Sequence, residues 1–488
     1  MNWITTKNNS KINTQDIPTL SVEEMRNELK TKNLRVVGFF GKQEFENVRL
    51  YIILADDKAG DLHISSLLFK EGEKSYNCFT QDIPALHNFE REFYEEFSIE
   101  PLNHPWLKPL RKNQDKYEFF KMTGNDVHEV AVGPIHAGVI EPGHFRFMCQ
   151  GERVYELEIM LGYQHRGVED LLITSKNFNN RLAESICGDS VIAYNMAYSQ
   201  IMEILSDTKI SDRASIIRHI ALEAERIAIH IGDLGAISGD MAYLMGASIF
   251  AVTRTLVINT MLEISGSRFG RGLIDVGGVN FDIDDTLSDR IQKTLDEVEK
   301  TVKRTTEVIL KMPSCISRME HTGVVSMENA QQLGAVGMAA RASGINIDSR
   351  FDFCDEFYAK YKPHKLHFKP MGDVHSRFKV RYFEVLESIK LIREFLALLK
   401  ECKNKELKTT PNTQLEQNQL ALSIVEGWRG EVVHIALTGA NGELLRYKIK
   451  DPSFNNWYIL SMAMRNNGIS DFPLCNKSFN LSYCGNDL

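Results

Sequence analysis

Apolar positions recur along this chain in two rhythms. Between residues 35 and 69 they fill three short runs, Arg35 to Phe40, Arg49 to Ala55 and Asp61 to Phe69, rich in β-branched and aromatic residues. That pattern predicts strands. Ahead of them, Ser21 and Glu24 form a capping box before Met25 and Leu29, so a helix is expected there, preceded by a loose polar arm of about twenty residues. Residues 82–99 carry Phe89, Phe93 and Phe97 at every fourth position among acidic neighbours, an amphipathic helix, and a proline-broken basic loop follows. The segment 112–126 is polar and charged and marks a boundary.

Beyond it the rhythm turns helical. Ile216, Ile217, Ile220, Ala224, Ile227 and Ile231 share one face, and Leu287, Ile291, Leu295, Val298, Val302 and Ile309 repeat the spacing among many charges. Such helices are expected to pack as a bundle. Glu152 to Met160 alternates as a strand does. Residues 401–419 read as a surface loop, and Val432 to Leu437 with Leu444 to Ile449 straddle Gly439-Ala440-Asn441-Gly442, a hairpin signal. The expected fold class is α+β: a small α/β domain over 1–120, then a mainly helical domain over 121–488 with peripheral β hairpins. The most apolar tract, 241–259, is interrupted by Arg254 and small polar residues and is read as a buried helix rather than a membrane span.

Composition narrows the class only modestly. With 43% hydrophobic and 25% charged residues the chain is ordinary globular protein, and a net charge of −8 without a basic stripe argues against nucleic acid as a partner. The eight cysteines show no paired spacing and the N-terminus lacks an apolar signal region, so a reducing cytoplasm is expected.

The candidate chemistry begins at Arg181 to Tyr198. On a helix Cys187, Ser190 and Tyr194 would share one face. A Cys-x-x-Cys there could grip a metal, whereas Cys-x-x-Ser offers one thiolate and one weak hydroxyl. On spacing alone the stretch also reads as a helix packing small and aromatic residues into a core. His230 and Asp233, three apart, could hold and pass a proton, or could be a satisfied helix-end pair.

Several ordered motifs carry a family resemblance: Glu90-Arg91-Glu92 with His104-Pro105-Trp106-Leu107-Lys108-Pro109-Leu110-Arg111, where Asn103 stands in place of the usual Gly, then His165-Arg166-Gly167, Ser265-Gly266-Ser267-Arg268, His321-Thr322-Gly323, Arg341-Ala342-Ser343-Gly344, Gly372-Asp373-Val374-His375 and Glu426-Gly427-Trp428-Arg429-Gly430-Glu431. From about residue 80 onward the chain resembles the fused large subunit of energy-converting (group 4) nickel-iron hydrogenase-related complexes, kin of the two adjacent quinone-site subunits of respiratory complex I. In hydrogenases of this group two Cys-x-x-Cys motifs hold nickel and iron. The resemblance aligns the first with Cys187-Gly188-Asp189-Ser190 and the second with Ser453-Phe454-Asn455-Asn456, so only Cys187 survives of four ligands.

The resemblance therefore implies a large subunit without a nickel-iron centre, with no cofactor in this chain. Cys187, Asp189, Ser190, Ser453 and Asn456 would wall a metal-free polar cavity facing an iron-sulfur cluster in a small partner subunit. Antiporter-like membrane subunits would be further partners, and the location the cytoplasmic face of the inner membrane, held peripherally. By analogy with complex I, His136 would face a quinone headgroup, with His144 a displaced substitute for the second loop histidine, replaced here by Ile140. Tyr194 or Tyr198 would stand across from it. His230 and Asp233 would couple protons to the membrane arm. Two functions follow: reduction of a quinone or other small acceptor coupled to ion translocation, or a non-redox coupling scaffold in a transport complex.

Overall fold

The computed structural model describes residues 2–112, 114–138, 140–366, 368–402 and 406–488. Its α+β organisation is the expected one. The capping box forms as read, Ser21 accepting from the Glu24 amide at the start of the Val22–Lys32 helix, which ends on Asn33 in the left-handed region. The three strand runs become Arg35–Glu44, Asn47–Asp56 and Asp61–Phe69, an antiparallel meander.

The loose arm expected before residue 20 is instead structured. Ile4–Thr6 pairs antiparallel with Asp61–Phe69, and Thr19–Leu20 runs parallel beside the same strand. Ser10–Asn13 crosses to a second sheet and pairs with Gln419–Glu426, a strand that begins where the expected 401–419 loop ends. Local polarity concealed this because the partners lie about four hundred residues away. Gln419–Glu426 continues through Glu431–Thr438 to Leu444–Lys450. The two sheets press together over Val37, Tyr51, Ile53, Leu422, Ile435 and Leu437, and Arg35 ties them by bonding both Asp57 and buried Glu431.

The phenylalanine-spaced helix spans His87–Phe97. It lies deeper than a surface helix, with Glu90, Arg91 and Glu92 buried beside Phe89 and Phe93. Its charges are matched: Glu90 accepts from the Phe79 and Thr80 amides, and Glu92 pairs with Lys448 and Arg111.

Four long helices, Asp212–Asp240, Leu244–Ser265, Asp285–Ile309 and Val374–Glu401, form the bundle. Asp212–Asp240 lies at its centre, almost wholly buried. The expectation of a buried helix over 241–259 needs correction. Leu244–Ser265 is long and apolar enough to cross a membrane by length and composition, yet only 33% of its most apolar window is buried here. It packs through Gly246, Phe250, Thr253 and Val257, while Leu244 and Val252 face out at 70% and 66% exposure. The Pro452–Met464 helix, capped by Asp451, lies against strand Arg153–Met160, and the chain returns through Phe472–Phe479 to a buried terminal segment.

Candidate functional site

Residues 181–198 do not form one helix. Asn180–Ala183 is a short helical turn, Glu184 to Ser190 is irregular, and Val191–Leu205 starts the next helix. Gly188, Asp189 and Ser190 favour a turn over helix continuation, so Cys187 lies in the turn and does not share a helical face with Tyr194. Ser190 makes no side-chain cap. The role falls to Glu225 on the Asp212–Asp240 helix, which accepts from the Ile192 amide at 2.8 Å and the Ala193 amide at 3.3 Å. Nothing in the sequence pattern singled out Glu225.

Burial pushes the Glu225 carboxyl up to about 8, Asp189 adding to the rise while the two amides oppose it. Its folded value thus exceeds its unfolded one, so the stability it contributes is complete below about 4.5 and is lost as pH rises toward about 8. Glu225→Gln is expected to remove that dependence. Urea unfolding at pH 5, 7 and 9 should show wild type losing stability against the variant by roughly 1 kcal/mol per pH unit within this window; parallel curves would refute it.

Cys187 is buried with three polar neighbours. Its Sγ lies 3.1 Å from Asp189 Oδ1, 3.4 Å from Ser482 Oγ and 3.4 Å from an Arg429 guanidinium nitrogen. Arg429 grips Asp189 with both terminal nitrogens, at 2.6 and 2.7 Å, and lies 3.9 Å over the Trp428 ring. Trp428 in turn donates to the Asp189 carbonyl at 2.8 Å. The Arg429 guanidinium holds the Asp189 carboxyl below its usual range, against a partial burial that acts the other way. Glycines make this loop possible: a Cβ on Gly337, at φ +61°, would meet the Arg429 carbonyl oxygen at 2.1 Å.

The second wall differs from the expected one. Ser482 and Cys484, near the end of the chain, stand against Cys187. Ser453 is behind them, accepting from the Ser482 amide at 2.9 Å. Asn456 is spent elsewhere, exchanging two 3.2 Å hydrogen bonds with the Val336 backbone. Tyr194 donates to Asp451 and lies 3.5 Å from Cys484 Sγ. Burial, with Asp451 next, drives its phenol well above the ordinary value. Burial, with Cys187 and Asp451, likewise keeps Cys484 a thiol. The available signal was a serine and a cysteine two apart, Ser482 and Cys484, following the helix-starting Asp471-Phe472-Pro473.

This donor set does not fit a nickel-iron centre. One thiol beside a carboxylate, hydroxyls and a second thiol held protonated cannot supply four soft anions, and the Arg429 cation occupies one side of the Cys187 sulfur. Among the described residues no group of three or more His, Cys, Asp or Glu is placed to hold a metal ion.

The loop after Val127–Val132 carries His136. Its Nε2 bonds the Gly143 carbonyl at 2.8 Å, so the ring is turned onto its own loop, while Ile135 and Ile140 point outward. His144 bonds the Gly133 carbonyl at 3.2 Å and takes a 3.4 Å contact from Arg146. Tyr198 accepts from the Asn179 amide. His136, His144, Tyr194 and Tyr198 each hold at least one hydrogen bond within the chain.

His230 and Asp233 share a helix face but do not pair, contrary to expectation. Each reaches across to the antiparallel Val374–Glu401 helix, whose residues three apart meet them in reverse order. His230 donates to Glu384 at 2.7 Å and Asp233 accepts from Arg381 at 2.9 Å. Interhelix partners won because the packed helix brings a carboxylate to His230 and a guanidinium to Asp233, each a charge-assisted partner within hydrogen-bond reach. Burial keeps His230 neutral, and Arg341 with His230 and Arg226 holds Glu384 well below the carboxylate range against burial. Arg341 also bonds Glu426 at 2.8 Å, and Arg350 and Glu223 extend the buried network. A second path leaves the Cys187 wall: Arg429 Nε donates to the Asn480 backbone carbonyl at 2.6 Å, and the Asn480 side-chain amide Nδ2 donates to Asp233 at 2.8 Å. Asp189, Arg429, Asn480, Asp233 and Arg381 are thus tied in sequence, by hydrogen bonds on either side of the Asn480 residue, whose backbone and side chain each supply one link.

Comparison with known proteins places this arrangement in a lineage. Residues 239–487 match the family described as respiratory-chain NADH dehydrogenase, 49 Kd subunit. Formate hydrogenlyase subunit 5 of Escherichia coli (strain K12) is 28% identical over 470 residues, 90% of this chain and 81% of that protein. The alpha subunit of the membrane-bound hydrogenase of Pyrococcus furiosus is 29% identical over 360 residues, 70% of this chain and 83% of that one. The same fold, at TM-score 0.69 and 21% identity over 75% of this chain and all of the other, occurs in the structure of the membrane-bound sulfane sulfur reductase, an archaeal respiratory membrane complex. The chain belongs to the family of the 49 Kd subunit of the respiratory-chain NADH dehydrogenase, with hydrogenase subunits among its relatives.

Proposed function

We propose that this chain is a metal-free, hydrogenase-like large subunit of a membrane-bound complex, and that it relays charge between the former metal-site wall and the helix bundle. The observation that carries this reading is the series from Asp189 through Arg429 to the Asn480 backbone carbonyl, and from the Asn480 side-chain amide to Asp233 and Arg381, in which Asn480 is the mechanical link. A protonation or ligand event at the Cys187 wall would move Arg429, and with it the partner of Asp233. In this reading a small iron-sulfur subunit sits beside the Cys187 wall, antiporter-like subunits lie in the membrane, and the chain is peripheral on the cytoplasmic face. Residues 1–120 would correspond to the adjacent peripheral-arm subunit of complex I and residues 121–488 to the quinone-site subunit. The membrane-bound hydrogenase among the relatives supports the assembly.

In the purified complex, metal analysis is expected to find no stoichiometric nickel. Asp233→Asn is expected to cut ion-coupled activity at least tenfold while the variant folds and assembles; it leaves Arg381 and Asn480 with a neutral, weaker partner. Undiminished coupling would sink the relay.

Reduction of a small acceptor is a second reading, favoured by one feature. The Cys187 and Cys484 side chains hydrogen-bond to one another, and the Cys187 sulfur lies 3.4 Å from Ser482 Oγ, so two sulfur side chains line one buried spot. Electrons would come from the partner's cluster. Absence of cluster-ligating cysteines in that partner would remove this reading and leave the relay intact.

A further inference from the structure

Cys187 and Cys484 are remote in sequence, yet the fold brings their side chains into hydrogen-bonding contact at one buried spot. Both are free thiols. Each has its own carboxylate: Cys187 Sγ donates to Asp189 Oδ1 at 3.1 Å, and Cys484 Sγ donates to Asp451 Oδ2 at 3.5 Å. The series from Asp189 to Arg381 makes no use of either sulfur.

Two thiols that meet, each beside an acceptor for its proton, are arranged for joining. A disulfide needs the two Cβ atoms within about 3.5–4.5 Å, so the partners must be free to adjust. Cys187 lies in the irregular turn between Asn180–Ala183 and Val191–Leu205, and a Cβ on the adjoining Gly188 would meet no atom within 4 Å. Cys484 begins a single turn of 3-10 helix, Cys484–Asn486. Neither sulfur is fixed on a long helix. The way in is narrow. Asp189, beside Cys187, keeps 37% side-chain exposure while both cysteines are buried, so the wall is reached by a small oxidant and not by a peptide-sized one.

We propose that Cys187 and Cys484 form a reversible disulfide when a small peroxide enters this wall, which makes the wall a redox switch. One sulfur attacks the peroxide O–O bond and gives up its proton to its carboxylate; a sulfenic acid forms and a first water leaves. The second sulfur then attacks the sulfenic sulfur, and its proton departs with the displaced hydroxide as a second water. In sum, two S–H bonds are lost and one S–S bond is formed, the thiol pair passing two electrons to the peroxide. Asp189 and Asp451 each lose a thiol donor. The bond stands on the geometry of the wall; any effect on Asp233 rests on the relay proposed above, through Asp189 and Arg429.

Non-reducing peptide mapping of the full-length protein, after exposure to hydrogen peroxide and alkylation of the remaining thiols, tests this. A linked pair holding Cys187 and Cys484 is expected to exceed every other pairing among the eight cysteines by roughly tenfold, and dithiothreitol should reverse it. Oxidation in urea should erase that preference. Cys484→Ser, close to cysteine in size, should abolish the link and leave Cys187 as a sulfenic acid, read as its dimedone adduct. Because the bond itself is measured, the result is separate from ion-coupled activity, which tests the relay. Absence of the linked pair from folded wild type, or its equal yield in urea, would overturn the proposal.

Discussion

Arg341→Leu is expected to destabilise the protein by about 3–5 kcal/mol, the cost typical of breaking a buried ion pair from one side. Arg341 is 4% exposed and bonds Glu384 at 2.7 Å and Glu426 at 2.8 Å, with Asp348 at 3.8 Å. Leucine satisfies the volume and abandons the carboxylates. The loss should itself depend on pH. Arg341 is the largest of the influences that hold Glu384 low against burial. Without it the carboxyl loses the strongest of those influences and moves up, so the stability it contributes above about 4.5 shrinks, and the gap from wild type narrows on acidification below that value as wild type itself loses the contribution. Chemical unfolding at pH 3 and pH 8 should find the variant's deficit larger at pH 8. A deficit below about 1 kcal/mol at pH 8 would mean that the network reorganises around its absence.

Arg429→Met is expected to cost less, about 2–3 kcal/mol. Asp189 retains 37% side-chain exposure, so water can partly replace the guanidinium. The functional consequence is larger than the energetic one. Arg429 is the only link in the described series between Asp189 and Asn480, so its loss should uncouple the Cys187 wall from Asp233 and impair ion-coupled activity as Asp233→Asn does. Equal coupling in Arg429→Met and wild type would remove Arg429 from the relay.

The elements whose signals are local were legible in the residues. The Ser21 and Glu24 box, the isoleucine face of 216–231, the heptad-like 287–309 run and the Gly439 to Gly442 hairpin all emerged where pattern put them. Each depends on neighbours within one or two turns, or on one strand's alternation. The first twenty residues, read as a polar arm, were not legible. Lys11 and Ile12 are strand residues only because Ala421 and Leu420 supply their partners.

For the site, the motifs drew attention to Cys187, since residue identity alone decides whether a sulfur is present. The opposite wall was a matter of three-dimensional closure. Ser453 and Asn456 matched a linear pattern, while Ser482 and Cys484 occupy the place because the terminal segment folds back beneath Trp457, which bonds the Ser482 carbonyl. The same holds for charge. The sequence by itself determined that His230 and Asp233 lie on one helix face, because helical periodicity is a local property. Only the tertiary structure decided that Glu384 and Arg381 receive them, and that Arg429 fills the ground beside Cys187, because partners of buried charges are chosen by packing between elements remote in the chain.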